Sequence, residues 1–272
     1  MTTTDVVRTD FDVSSSASVG TAASRMKALA RAELTLFGRN KSALFTALLL
    51  PAMLTFSMSS AVRGMDLKGT GLSVGTVLLP GSLGYVLLFA VYSALVGVFV
   101  VRREELVLKR LRTGELRDQE ILAGASLPAV LLALAQCVLL AAGCSAVMDV
   151  GAPRAVWLAV VGLGLGMALM VVLAAATAAL TRSAEGAQIS VMPMLLASMA
   201  GSGMVVPLDV MPDAVARVCE LLPLTPVIEL IRGGWTGDLS AYKVLGLLAT
   251  AVAWMLLGVF AVRKWFRWEP RR

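Results

Sequence analysis

The chain contains no histidine. Imidazole acid–base chemistry and Ser-His-Asp triads are therefore excluded. Its three cysteines, Cys137, Cys144 and Cys219, follow no zinc-ligand spacing. Cys137 and Cys144 lie seven residues apart, about 10.5 Å along a helix and too far for a disulfide, so packing roles are expected. No G-x-x-x-x-G-K-[ST] phosphate loop occurs, and the nearest glycine-rich stretch, GTGLSVGT at 69–76, lacks the lysine. The chain is expected to bind no ATP, metal or other cofactor itself. Charge is scarce too: ionic residues make up 15% of the 272 and hydrophobic residues 58%, with a mean hydropathy of +0.82. A soluble domain carries about 25% charged residues. A water-soluble fold would need polar surface that this chain does not have, which makes it an integral membrane protein.

Six long stretches carry no charge: 42–62, 76–101, 125–147, 155–180, 188–206 and 244–262. A helix rising 1.5 Å per residue crosses a ~30 Å hydrocarbon layer in about 20 residues. Strands of a membrane barrel need only ~10 residues and alternate polar with apolar, which these stretches do not. Six transmembrane helices and an all-α fold follow, with both chain ends on one side. Eighteen Lys and Arg fall in the N-terminal segment, residues 101–124, Arg182 and the tail from Arg263, against six in the alternate loops. That excess places both termini in the cytoplasm. It also accounts for the formal charge of +6 without nucleic acid.

Residues 1–24 are polar, lack the apolar core of a secretory signal and read as a disordered cytoplasmic tail. In 25–41, Met26, Leu29, Ala30, Leu36 and Phe37 share one helical side and Lys27, Arg31, Thr35 and Arg39 the other. This predicts either a helix lying on the cytoplasmic face of the bilayer or a plain charged run-in to the first span. A single transmembrane domain then occupies 25–263. The tail 264–272, with Trp265 and Trp268 among basic residues, anchors the last span at the interface.

Residues 101–124, VRREELVLKRLRTGELRDQEILAG, hold eleven charges between two apolar runs. Each Arg, Lys or Asp at a membrane centre costs roughly 2.5–3.5 kcal/mol, so the segment stays outside the bilayer. The pattern predicts a helix over Arg102–Arg112, a break at Gly114, and a second helix over Glu115–Ala123 with Thr113 as its cap. Leucines among mixed charges suit a protein partner; a solvated hairpin without one is the alternative. On the opposite side, residues 201–234 predict two helices too short to span, near 212–222 and 226–232. Pro212 and Pro226 stand in their first turns, and Thr225 caps the second. Stripes of Val215, Val218 and Leu222, and of Val227, Leu230 and Ile231, would dip into the outer leaflet against protein. A surface connector is the alternative.

These two segments resemble those of ABC-2 type exporter permeases. The match rests on Glu104 and Glu105, KRLRT at 109–113 and ILAG at 121–124, then on the proline-punctuated run through PLT at 223–225 to Arg232. The family usually has proline after the threonine, where this chain has Gly114 and Glu115. The resemblance implies a type V exporter-like fold that adds three features to the six spans: an N-terminal interfacial helix, a coupling helix between spans two and three, and short extracellular helices between spans five and six. It implies that Glu104, Glu105, Leu108, Lys109, Arg110, Leu111, Arg112, Thr113, Gly114, Glu115 and Leu116 couple to a separate ATP-binding-cassette subunit carrying ATP and Mg. It implies an extracellular gate of Pro207, Pro212, Leu222, Pro223, Leu224, Thr225, Pro226 and Arg232. It further implies a second permease copy, identical or related, and a plasma-membrane location, in a bacterium, with drug or antibiotic efflux as the theme.

Gly162 and Gly166, four apart in GLGLG, permit close helix contact within the chain or across a dimer, or line a substrate path. Pro51, Pro80 and Pro193 are expected to kink spans one, two and five. No carboxylate lies in the six stretches and Gln136 is a rare polar group there, which disfavours proton-coupled transport and favours an apolar, amphipathic or lipid-linked cargo. The competing class is a membrane scaffold that recruits a cytoplasmic partner through residues 102–122.

Overall fold

The computed structural model describes residues 35, 41–64, 73–112, 117–148, 151–266 and 268, and among these no strand occurs. In chain order the helices are α1 (Lys41–Arg63), α2 (Val74–Glu104), α3 (Val107–Arg112), α4 (Asp118–Met148), α5 (Val156–Leu180), α6 (Ala184–Gly201), α7 (Asp213–Cys219), α8 (Thr225–Thr236) and α9 (Ala241–Trp265). A single 3₁₀ turn, Leu208–Val210, precedes α7. The predicted tail 1–24, nearly all of the predicted interfacial helix 25–41, and Thr113–Leu116 lie outside the described residues.

Four helices, α2, α4, α5 and α9, are long and apolar enough to cross a membrane. The run 42–62 falls in α1, and the run 188–206 falls in α6 only as far as Gly201. α6 has 18 residues and stops at Gly201, about 27 Å of rise. The helix ends there because Gly203 takes a left-handed φ of +70°, which turns the chain back toward the bundle.

Serines set three helix starts. Ser73 accepts the Thr76 amide and Thr76 returns the bond in a capping box; Ser183 accepts from Gly186 and Ser240 from Lys243. Gly237, with φ 74°, closes α8. Pro51, Pro80 and Pro193, as well as Pro128, all sit inside helices that continue through them. α2 departs from regular winding at Leu87–Ser93, where it is π-helical. There the Tyr92 hydroxyl meets the Thr177 hydroxyl of α5 at 3.0 Å.

α5 is the hub, packing against α2, α8 and α9. Two thirds of the apolar window of α2 is buried (67%), against 28% for α4 and 22% for α9, so α2 is central and the other two are peripheral. Leu131, Leu134, Val138 and Leu139 of α4, and Leu245, Leu256, Leu257 and Phe260 of α9, face outward. Water would not tolerate such faces, whereas lipid or another apolar chain would.

Candidate functional site

The charged segment between α2 and α4 is built differently from its pattern. α2 runs straight through Arg102 to Glu104, and a break at Glu105–Leu106 divides the helix predicted over Arg102–Arg112; the break predicted at Gly114 lies outside the described residues. Leu106 adopts φ 58°, an uncommon conformation for a side chain of its size. The turn is bonded on both sides: Glu105 N–H donates to Val101 O at 2.9 Å, Leu106 N–H to Arg103 O at 3.2 Å, and Arg110 N–H to Leu106 O at 3.0 Å. The second predicted helix begins at Asp118 instead of Glu115 and continues into α4 without interruption. Asp118 and Glu120 occupy its first turn, and the Glu120 carboxylate accepts the Arg117 amide at 2.9 Å. Helix-forming sequence carries each charged stretch into the adjacent span because nothing between them breaks the backbone ladder.

α3 is pinned by Leu108, fully buried, while Glu105, Lys109, Arg110 and Arg112 are exposed and Leu111 is half-buried. The Arg112 guanidinium bridges to Asp118 at 3.1 Å and lies 5.1 Å from the Trp268 ring centre. A cavity of about 400 Å³ opens between Arg112, the start of α4 and the end of α9. Glu104 is exposed as well, but it has a partner on the neighbouring turn. Its carboxylate accepts the Ala184 amide, the first of α6, at 3.1 Å. Arg103, which the sequence pattern did not single out, has no exposed surface. Its guanidinium donates to Ala178 O at 2.8 Å, Thr181 O at 2.6 Å and Arg182 O at 3.4 Å. A cation thus sits on the carbonyl end of α5 and an anion on the amide end of α6, the favourable sense for both helix dipoles.

At the far end, α8 is the principal feature. It spans Thr225–Thr236, longer than the predicted 226–232, and residues 225–234 are all buried. Leu224, not Thr225, occupies its cap position; the Thr225 hydroxyl instead donates to Cys219 O at 2.6 Å. α8 runs antiparallel to α5. Its end meets the start of α5, with Ala155 N–H bonded to Gly234 O at 2.9 Å. Its beginning lies deeper: a Cβ on Gly166 would stand 2.6 Å from Val227 Cγ1 and 2.8 Å from Leu87 Cδ1. Gly166 and Leu87 are both near the middle of their helices, so α8 descends to about half the depth of the bundle. A Cβ on Gly162 would stand 3.0 and 3.1 Å from Leu230 and Ile231 of α8, and one on Gly84 of α2 would stand 2.7 Å from Ile228.

The other short helix departs from expectation. α7 covers Asp213–Cys219 behind Pro212, and Val215 and Val218 are exposed rather than packed. Its seven residues bury little beyond Cys219. Pro207, Pro223, Leu224, Thr225, Pro226 and Arg232 are buried, Leu222 is half-buried and Pro212 is exposed. The proline-punctuated segment therefore converges on the bundle everywhere except at α7.

Arg232 donates to the Glu229 carboxylate and to Gly203 O. Both side chains are nearly inaccessible, and Lys243 Nζ stands 3.9 Å from the other Glu229 oxygen. The premise that the bundle interior holds no carboxylate is therefore corrected. α8 carries Glu229 into it from a loop, and Arg232 neutralises it there. Glu229 was missed because it belongs to no charge-free stretch. Its i,i+3 spacing to Arg232 was the signal available.

Among the described residues, no group of three or more His, Cys, Asp or Glu could hold a metal ion. The two ends offer anchored helix termini and a buried ion pair. What the fold defines is a multi-pass helical membrane protein. A profile of the ABC-2 type transporters matches residues 24–235, and the chain belongs to that family. The match includes both ends just described and stops before α9. No curated protein matches the sequence significantly. Membership makes the chain a permease subunit without catalytic activity of its own, and implies an ATP-binding-cassette partner in general.

Proposed function

We propose that this chain is the permease of an exporter for an apolar, amphipathic or lipid-linked substrate, driven by ATP and Mg on a separate cassette subunit. In this reading six helices span the plasma membrane, α1 and α6 being the two that complete the four long ones. The termini and α3 face the cytoplasm, and two copies, identical or related, frame the path. The observation that carries it is the construction of α3. A six-residue helix is held to the bundle by one buried leucine and turns Glu105, Lys109, Arg110 and Arg112 outward. That is an anchored, charged knob suited to a groove on another protein. Glu104, exposed beside them, commits one carboxylate oxygen to α6. The gate is α8, which occupies the opposite half of the bundle. With Glu229 paired to Arg232, the gate end of the bundle offers no unpaired buried carboxylate to match a cationic cargo.

The test is co-purification with a cassette ATPase, using a variant in which residues 108–116 are scrambled. Loss of association together with loss of permease-dependent ATP turnover is expected. Retained association, or turnover indifferent to the scramble, overturns the coupling role and leaves a scaffold.

A further inference from the structure

Resting on the reading of α3 as the coupling element, we infer that Arg103 and Glu104 form a clamp that carries α3 movement into the α5–α6 turn. Arg103 grips the last carbonyls of α5 and Glu104 the first amide of α6. The two consecutive side chains therefore hold both limbs of one connection. Three features make this a transmission rather than a loose contact. Arg103 is wholly buried, so its bonds to the α5 carbonyls are not exchanged for water, and bonds made by a charged donor are stronger than neutral ones. The Glu105–Leu106 turn between α3 and the clamp is hydrogen-bonded on both sides, which opposes its use as a slack hinge. Finally, α5 is the helix against which α8 is seated at Gly162 and Gly166. Displacing the lower end of α5 therefore displaces the support of α8 at the other end. The path runs α3, Arg103 and Glu104, α5, α8, and each step is a packed or bonded contact.

The test uses the full chain with its cassette partner in proteoliposomes. Cys137→Ala and Cys144→Ala leave Cys219, next to α8, as the only thiol. Its reaction rate with an impermeant maleimide is measured with and without ATP and vanadate. In this background nucleotide should change the rate by about fivefold or more, the lower end of allosteric couplings. Arg103→Met removes the grip on α5. Ala184→Pro removes the one amide that Glu104 holds, at a first helical position where proline is tolerated and after an extended Ser183. Both should abolish the nucleotide effect while partner binding and ATP turnover persist, and Arg103→Lys should restore part of it. Should Arg103→Met fail to fold, Ala184→Pro decides alone. Variants that bind the partner and keep the unmodified nucleotide response refute the clamp. A parent chain that binds the partner without any Cys219 response refutes the relay to α8. A parent chain that binds no cassette partner refutes the functional reading beneath it.

Discussion

The Glu229–Arg232 pair allows a sharp energetic test of how deeply α8 is buried. The two side chains retain only 8% and 4% exposure. Lys243, half exposed and 3.9 Å away, can offset little of a lone carboxylate. Arg232→Met would leave Glu229 ionised without its main partner and Gly203 O without its donor. Removing one member of a buried pair costs about 3–5 kcal/mol, and Glu229→Met should cost a similar amount. Replacing both by Met removes both charges and strands only the Gly203 carbonyl, a penalty of about 1–3 kcal/mol. The double variant should therefore be more stable than either single one, although it carries more substitutions. Unfolding by SDS titration in mixed micelles, followed by circular dichroism, gives the four stabilities of the cycle. If the single variants each cost less than about 1 kcal/mol, as exposed pairs do, the pair is solvated and α8 does not enter the bundle. If the double cost equals the sum of the singles, the two residues do not interact, and the reasoning fails differently.

Three other outcomes are expected. Gly166→Ala places a methyl 2.6 Å from Val227 Cγ1 and should destabilise by about 1–3 kcal/mol. Gly164→Ala, which meets nothing within 4 Å, should be neutral or stabilising by about 0.5–1 kcal/mol; equal effects in the same unfolding assay would contradict the seating of α8 on α5. Val218→Cys, at a position 66% exposed, should react with an impermeant maleimide much faster than Cys219, which is 8% exposed. The reverse order would show that α7 packs the other way round. Leu106→Gly should leave thermal stability within about 1 kcal/mol, since relief of the positive φ offsets the added chain entropy. Leu106→Val should lower it, because a β-branched side chain fits that conformation worst; a Val variant as stable as the parent would mean the turn relaxes.

The spanning framework was legible because charge density alone reports it: a residue facing lipid cannot be ionic at acceptable cost, so charge-free windows mark α2, α4, α5 and α9. Helix limits were less legible. Arg102 to Glu104 and Asp118 to Glu120 were assigned to a separate cytoplasmic hairpin, yet they belong to the long helices, because backbone winding responds to propensity and capping rather than to polarity. Arg103 escaped notice for a related reason. Its sequence context is that of a solvated cation, and only the approach of the α5 carbonyls, 75 and more residues away, turns it inward. Thr225 was read as a cap from a local pattern, whereas its hydroxyl serves the carbonyl of Cys219 six residues back. Each miss concerns a partner supplied from a distance.

The glycines show how these long-range facts fit together. A helix of twelve residues cannot cross the bilayer, and its N-terminal amides would be stranded in lipid. α8 can lie at that depth only if protein surrounds it. Between apolar helices in lipid there is little hydrophobic drive, so close approach has to come from small residues. Gly84 on α2 and Gly162 and Gly166 on α5 make that room, each leaving a space that a methyl would overfill against Ile228, Ile231 or Val227. Once α8 is seated, Glu229 and Arg232 are shielded from both lipid and water and stabilise one another. The glycine pair in α5, which reads from sequence first as a packing face, within the chain or across a dimer, and only second as a substrate wall, is accounted for by the seat of α8 within the same chain. A larger residue there should therefore expel α8 from its seat on α5.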